Sequence, residues 1–211
     1  MNFKYAIFDL DGTLLDSTHV WIKVDKVFLA KRGFEVPSDY AEKIAHASQQ
    51  EAATYTKNRF KLNEKTNDII KEWNDMIFWE YAENISLKPF AKEYLEILKN
   101  KGVKLAVATG LPHSLLLPAI TRLGIAEYFS AVCSVDDVGK GKGEPDLYIH
   151  TSKILGADTS ECIVFEDVLS AIKVAKSIGM AVCGVCDKQS KNQEEIRQIS
   201  DYYIKSWKEM T

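Results

Sequence analysis

Apolar residues fall along this chain in two rhythms. Five short runs rich in β-branched residues, at 5–10, 104–108, 131–135, 162–165 and 181–185, have the length and make-up of buried strands. Between them lie stretches with helical spacing that close on glycine. Tyr94, Leu95 and Leu98 precede Gly102, residues 147–155 precede Gly156, and residues 172–178 precede Gly179. A glycine after the last turn accepts the left-handed conformation that ends a helix. Strand alternating with helix predicts a parallel sheet covered by helices on both faces. A sixth short strand is expected at Tyr202–Ile204.

From Asp16 to Asn84 the alternation stops. No strand pattern occurs there, and apolar residues recur at helical spacing: Trp21, Val24 and Phe28, then Ile69, Ile70, Trp73 and Ile77. The stretch is too long for one crossover helix. The fold class expected is therefore α/β, a Rossmann-like three-layer parallel sheet core with an inserted all-helical cap domain. Residues 1–15 and 87–211 would form the core and residues 16–86 the cap, with crossings near residues 14–17 and 84–89.

Composition narrows the function by exclusion. The 211 residues carry a formal net charge of −3, without the basic excess that phosphate-backbone binding needs, so nucleic acid is not an expected partner. No apolar stretch reaches membrane-spanning length. The first ten residues enter a strand pattern rather than a secretory signal, so a cytoplasmic location is expected. Cys133, Cys162, Cys183 and Cys186 sit mostly in apolar runs and read as small buried hydrophobes.

The chemistry concentrates where the first strand ends, in Asp9-Leu10-Asp11-Gly12-Thr13. Open α/β sheets bind ligands at the carboxyl ends of their strands. Two carboxylates held close there repel, and need a cation, a shared proton or separate roles. Gly12 lets the chain turn sharply after the second acid.

These residues open a series of four motifs that resembles the haloacid dehalogenase superfamily, and within it the phosphatases and β-phosphoglucomutase-like proteins with a helical cap. After Asp9-Leu10-Asp11-Gly12-Thr13, the second motif is matched by Thr109 in Val107-Ala108-Thr109-Gly110. The third is matched by Lys142, before Pro145-Asp146, and the fourth by the acidic pair Glu166-Asp167. The resemblance implies a phosphatase acting on a small phosphorylated metabolite, as a monomer or weak dimer. It assigns Asp9 as nucleophile, giving an aspartyl-phosphate, and Asp11 as proton donor and acceptor. Mg2+ would lie between the Asp9 carboxylate, the Asp11 main-chain carbonyl and Asp167, with hard oxygen ligands that suit it. Lys142 and the Thr109 hydroxyl would hold the transferring oxygens beside Gly110, with Glu166 behind the ligands.

The sequence departs from the family pattern at Gly143 in place of proline, Val168 in place of serine and Ala171 in place of glycine. Gly143 is expected to loosen the aim of Lys142. Two other functions use the same scaffold. Sugar phosphomutases resemble D-x-D-G-V with a histidine ten residues past the second acid, where this chain has Thr13 and Trp21. A non-catalytic phospho-ligand binder would not need a paired nucleophile and proton donor. Elsewhere, Cys183 and Cys186 lie three apart on a strand and face opposite ways, and His19, His46, His113 and His150 show no ligand spacing. Pro118 is expected in the first turn of the helix after Thr109, or as its kink. The cap aromatics are expected to be mostly core, and its arginines, Arg32 and Arg59, fit no second-phosphate spacing.

Overall fold

A computed structural model describes residues 3–44, 47–190 and 192–211; His46 lies outside the described residues. Among them the strands are β1 (Tyr5–Phe8), β2 (Lys104–Thr109), β3 (Phe129–Ser134), β4 (Cys162–Glu166), β5 (Ala181–Val185) and β6 (Tyr202–Ile204). They form one parallel sheet in the order β3-β2-β1-β4-β5-β6. β1 is central, so the first motif leaves the middle of the sheet's carboxyl edge.

Alternation along the strands builds a core on each face. Ala6, Phe8, Val107, Ile163, Phe165 and Cys183 point to one side, while Ile7, Ala106, Ala108, Val164 and Val182 point to the other. Helices α5 (Ala91–Asn100) and α6 (His113–Arg122) cover the first face. Helices α7 (Asp146–Leu155), α8 (Leu169–Ser177) and α9 (Gln193–Ile199) cover the second. On the first face Phe8 stacks on Phe165 with ring centroids 4.6 Å apart, and Trp207 packs against both. The Trp207 indole N–H donates to the Thr13 carbonyl at 3.0 Å. The end of the chain thus props the turn that carries the first motif.

Between β1 and α5 the described chain is helical: α1 (Thr18–Ala30), α2 (Tyr40–Ile44), α3 (Gln49–Phe60), α4 (Thr66–Trp79) and a wider turn, Glu80–Asn84. The buried residues Val20, Val24 and Phe28 of α1 meet Ile69, Trp73 and Ile77 of α4 in their own apolar seam. The two crossings run side by side. Leu15 pairs with Leu87 in an isolated antiparallel bridge, Asp16 N–H donates to the Ser86 carbonyl at 3.0 Å, and Lys88 N–H donates to the Leu14 carbonyl at 2.8 Å.

Some expectations need correction. Pro118 lies in the second turn of α6, not the first, and leaves the Ser114 carbonyl without its usual intrahelical donor. Among the aromatics between β1 and α5, Trp73 and Tyr81 are buried but Phe78 and Trp79 are exposed. The adjacent pair packs ring against ring, 5.6 Å apart, rather than into the core. No helix among the described residues is long and apolar enough to cross a membrane.

Candidate active site

The first motif folds as a tight hook. Asp9 N–H donates to the Phe165 carbonyl at 3.0 Å, and the amides of Thr13, Leu14 and Leu15 all donate to the Leu10 carbonyl. Gly12 sits at φ +77°, and a Cβ built there would lie 2.2 Å from Asp167 Oδ2. Conformation and space both require glycine. Thr13 then turns its hydroxyl back to Asp167 Oδ1 at 2.8 Å.

Three of the four motifs touch directly. Lys142 Nζ lies 2.7 Å from Asp9 Oδ1 and also bonds Glu166 Oε2. Glu166 is fully buried and accepts from Tyr148 Oη at 3.0 Å and from the amides of Asp167 and Val168 at 3.2 and 3.1 Å. It is the fixed anchor for Lys142. With Gly143 in place of proline, Lys142 still points at Asp9 and Glu166. Carboxylate oxygens of Asp9, Glu166 and Asp167 lie within 4.8 Å of one another. Thr109 and Gly110 reach the site from the end of β2, as walls of the same cavity. The Thr109 hydroxyl accepts from the Leu111 amide at 3.2 Å.

Asp11 turns away from that cluster. Its carboxylate accepts from Ser17 Oγ and Tyr81 Oη, each at 2.5 Å, and from Trp21 Nε1 at 3.3 Å. Tyr81 Oη in turn accepts from Trp21 Nε1 at 2.8 Å. Among the described residues no hydrogen bond falls on the Asp11 carbonyl oxygen.

Burial governs the charges. It pushes Asp9 from 3.8 to about 7, with Glu166 adding and Lys142 opposing. It also raises Asp11, against the bonds from Ser17, Tyr81 and Trp21, and raises Asp167 strongly, helped by Glu166 and Asp9. Burial works against a charged Lys142, yet Asp9 and Glu166 outweigh it and hold the ammonium well above its ordinary range. Three buried carboxylates thus face one close cation. That surplus of negative charge and hard oxygen donors fits a divalent metal such as Mg2+.

Sequence reading missed a second ion pair beside the hook. Lys88 Nζ bonds the Gly12 carbonyl, donates to the Cys186 carbonyl at 2.9 Å and lies 3.0 Å from Asp187 Oδ2. Asp187 also accepts from Thr18 Oγ1 at 3.2 Å. Neither residue belongs to a motif, and a lysine before a proline carries no signal of its own. Lys88 pins the second crossing to the first-motif turn.

A cavity of about 740 Å³ opens over Asp9 and Asp11. Its far walls come from the helical segment, including Trp21, Asp25, Gln49 and Trp73. The two arginines of that segment are engaged elsewhere, Arg32 with Glu64 and Glu72, and Arg59 with Asp39.

Comparison with known proteins agrees with this geometry. A family model described as haloacid dehalogenase-like hydrolase matches residues 6–185. The chain is 26% identical over 175 residues to a phosphorylated carbohydrates phosphatase of Thermotoga maritima, covering 83% of this chain and 81% of that protein. It is 23% identical to hexitol phosphatase B of Escherichia coli, covering 98% and 93%. A solved β-phosphoglucomutase from Clostridium difficile superposes with a TM-score of 0.84 at 17% identity, over 100% and 94% of the two chains, a likeness of fold.

Proposed function

Since the chain belongs to the haloacid dehalogenase-like hydrolase family, we propose that it is a magnesium-dependent phosphatase that cleaves a small phosphorylated carbohydrate through an aspartyl-phosphate on Asp9. The observation that carries this reading is Lys142, held between Asp9 and Glu166 at the floor of a cavity closed by the helical segment.

Asp9 Oδ2, the oxygen not bonded to Lys142, attacks phosphorus and forms the acyl-phosphate bond as the ester P–O bond breaks. Asp11 supplies the proton to the departing alkoxide, and burial raises its pKa in the direction that favours the protonated form. The same carboxylate then takes a proton from the water that hydrolyses the acyl-phosphate, returning Asp9 free and releasing phosphate. Lys142, with Thr109 and Gly110 across the cavity, faces the equatorial oxygens as charge spreads over them. Mg2+ would be held by Asp9, Asp167 and the Asp11 carbonyl, offsetting the charge of the phosphoryl group and of the carboxylates around it. Residues 16–86 act as the cap that excludes bulk water.

The substrate class follows from the cavity walls and the relatives. Arg32 and Arg59 are both paired outside the cavity, so neither serves a second phosphate. The two named relatives act on phosphorylated carbohydrates and a hexitol phosphate. Hydrolysis is favoured over phosphoryl return because Trp21 fills the mutase histidine's position and donates to Asp11 Oδ2.

The test is inorganic phosphate release from a panel of sugar phosphates, hexitol phosphates, nucleotides and an aryl phosphate, with and without Mg2+. Release that needs Mg2+ and vanishes in Asp9→Asn supports the reading. A sugar bisphosphate intermediate without net release makes the chain a mutase. Tight ester binding with no turnover under any metal makes it a binding protein.

A further inference from the structure

A second group of metal-ligating side chains lies outside the active site and plays no part in the chemistry above. Cys133 is the penultimate residue of β3, Asp137 ends the short turn after that strand, and His150 sits on α7. Their ligand atoms lie within 4.8 Å of one another. His113, the first residue of α6, adds a fourth donor: its Nε2 is 2.9 and 3.1 Å from the two Asp137 oxygens. Cys133 is buried and forms the floor, while the side chains of His113 and Asp137 are 38% and 31% exposed and form a rim open to solvent. The four positions show no motif spacing because parallel pairing of β2 with β3 and the return along α7 bring them together.

The donor set differs in kind from the all-carboxylate cluster at Asp9. A thiolate and two imidazoles select a borderline ion, Zn2+ above all, over Mg2+. Bonds of about 2.0–2.3 Å place neighbouring ligand atoms on a tetrahedral ion about 3.3–3.7 Å apart. The His113–Asp137 separation is already close to that, the Cys133, Asp137 and His150 atoms need to contract by up to about 1 Å, and His113, which stands outside that group of three, has to turn further inward. We propose that Cys133, Asp137, His150 and His113 form a tetrahedral Zn2+ site. Four protein ligands leave no open position, so the ion is structural rather than catalytic. Binding transfers the Cys133 thiol proton to solvent and uses both imidazoles neutral, with no change of oxidation state.

Its location gives it a consequence. His113 closes the loop that begins with Thr109 and Gly110. Asp137 and His150 flank the loop that carries Lys142. An ion there ties together two of the loops that frame the active site.

The experiment titrates the full chain, in excess Mg2+, with Co2+ as a spectroscopic probe and then with Zn2+ by calorimetry. The expected result is one Co2+ per chain, with a thiolate-to-cobalt charge-transfer band and tetrahedral visible bands, both displaced by Zn2+. Cys133→Ser should abolish the charge-transfer band. It should also weaken Zn2+ by more than about 100-fold, since changes to supporting residues alone cost about 10- to 100-fold. His150→Asn, at a half-buried helix position, should weaken it as much without touching the core. Asp9→Asn should leave the band unchanged. No thiolate band in the parent protein overturns the site. So does a band that survives Cys133→Ser or His150→Asn, or one that is lost in Asp9→Asn.

Discussion

Replacing Asp25 by asparagine should stabilise the protein, and only above acid pH. Asp25 lies on the buried side of α1, is 9% exposed, and no hydrogen bond among the described residues reaches its carboxyl. Burial alone pushes it from 3.8 to about 7. Below 3.8 the carboxyl is protonated in folded and unfolded chains alike, and pH has no effect through it. Between about 4 and 7 the unfolded chain ionises while the fold retains the proton, so stability falls as pH rises. Above about 7 the penalty is complete and flat. At about 1.36 kcal/mol per pH unit that interval amounts to about 4 kcal/mol, or about 2 where water in the adjoining cavity softens the burial. Asparagine keeps the shape and carries no such penalty. Urea unfolding of both proteins should show Asp25→Asn ahead by about 2–4 kcal/mol at pH 8 and by about 1 kcal/mol or less near pH 4.5. All other acids titrate in both proteins and cancel. An equal difference at the two pH values, or a less stable variant at pH 8, would refute burial as the cause.

Three further substitutions probe the active site. Glu166→Gln removes the charge that anchors Lys142, and kcat should fall by about 10- to 100-fold with a weaker apparent Mg2+ affinity; unchanged steady-state kinetics would deny Glu166 that role. Trp21→Phe removes one donor to the Asp11 carboxylate, worth about 1.5–3 kcal/mol, so kcat should drop by about tenfold or more while Tm moves little. Gly12→Ala should abolish turnover and lower stability by about 1–3 kcal/mol, from the left-handed backbone and the clash with Asp167; an active, Mg2+-dependent Gly12→Ala protein would mean the hook is looser than its geometry.

The sheet was legible because buried parallel strands announce themselves as short β-branched runs. All six expected strands form within two residues of their expected ends, and Ala181–Val185 and Tyr202–Ile204 match outright. The motif residues were legible because their types and order are specific, and Asp9, Lys142, Glu166 and Asp167 do converge. What stayed hidden were contacts made across long separations. Nothing in the sequence pairs Lys88 with Asp187, or sends Trp207 back to the Thr13 carbonyl 194 residues away. The motif placed Glu166 behind the ligands, but its full burial and its partners were not readable. A glutamate at a strand end is usually solvated, and only the convergence of Lys142, Tyr148 and two amides makes its burial tolerable. Phe78 and Trp79 misled for the opposite reason, since helical spacing counts faces but does not say which face has a neighbour.

The position of Asp11 links chemistry to the helical segment more tightly than its motif suggests. Of the three groups that hold its carboxylate, Ser17 lies in the first crossing, Trp21 on α1 and Tyr81 in the turn after α4. Trp21 and Tyr81 also bond each other. Asp11, the proposed proton donor, is therefore oriented from both ends of residues 16–86, while Asp9, Lys142, Glu166 and Asp167 are fixed by strand ends and loops of the sheet. Any movement that parts the helical segment from the sheet must stretch the bonds from Trp21 and Tyr81 to Asp11 but need not disturb Lys142 on Asp9. On the proposed roles, the nucleophile is then built into the core, and the proton donor is completed only when the segment is seated. For the proposed phosphatase, an arrangement of this kind would make protonation of the leaving group conditional on closure over the substrate.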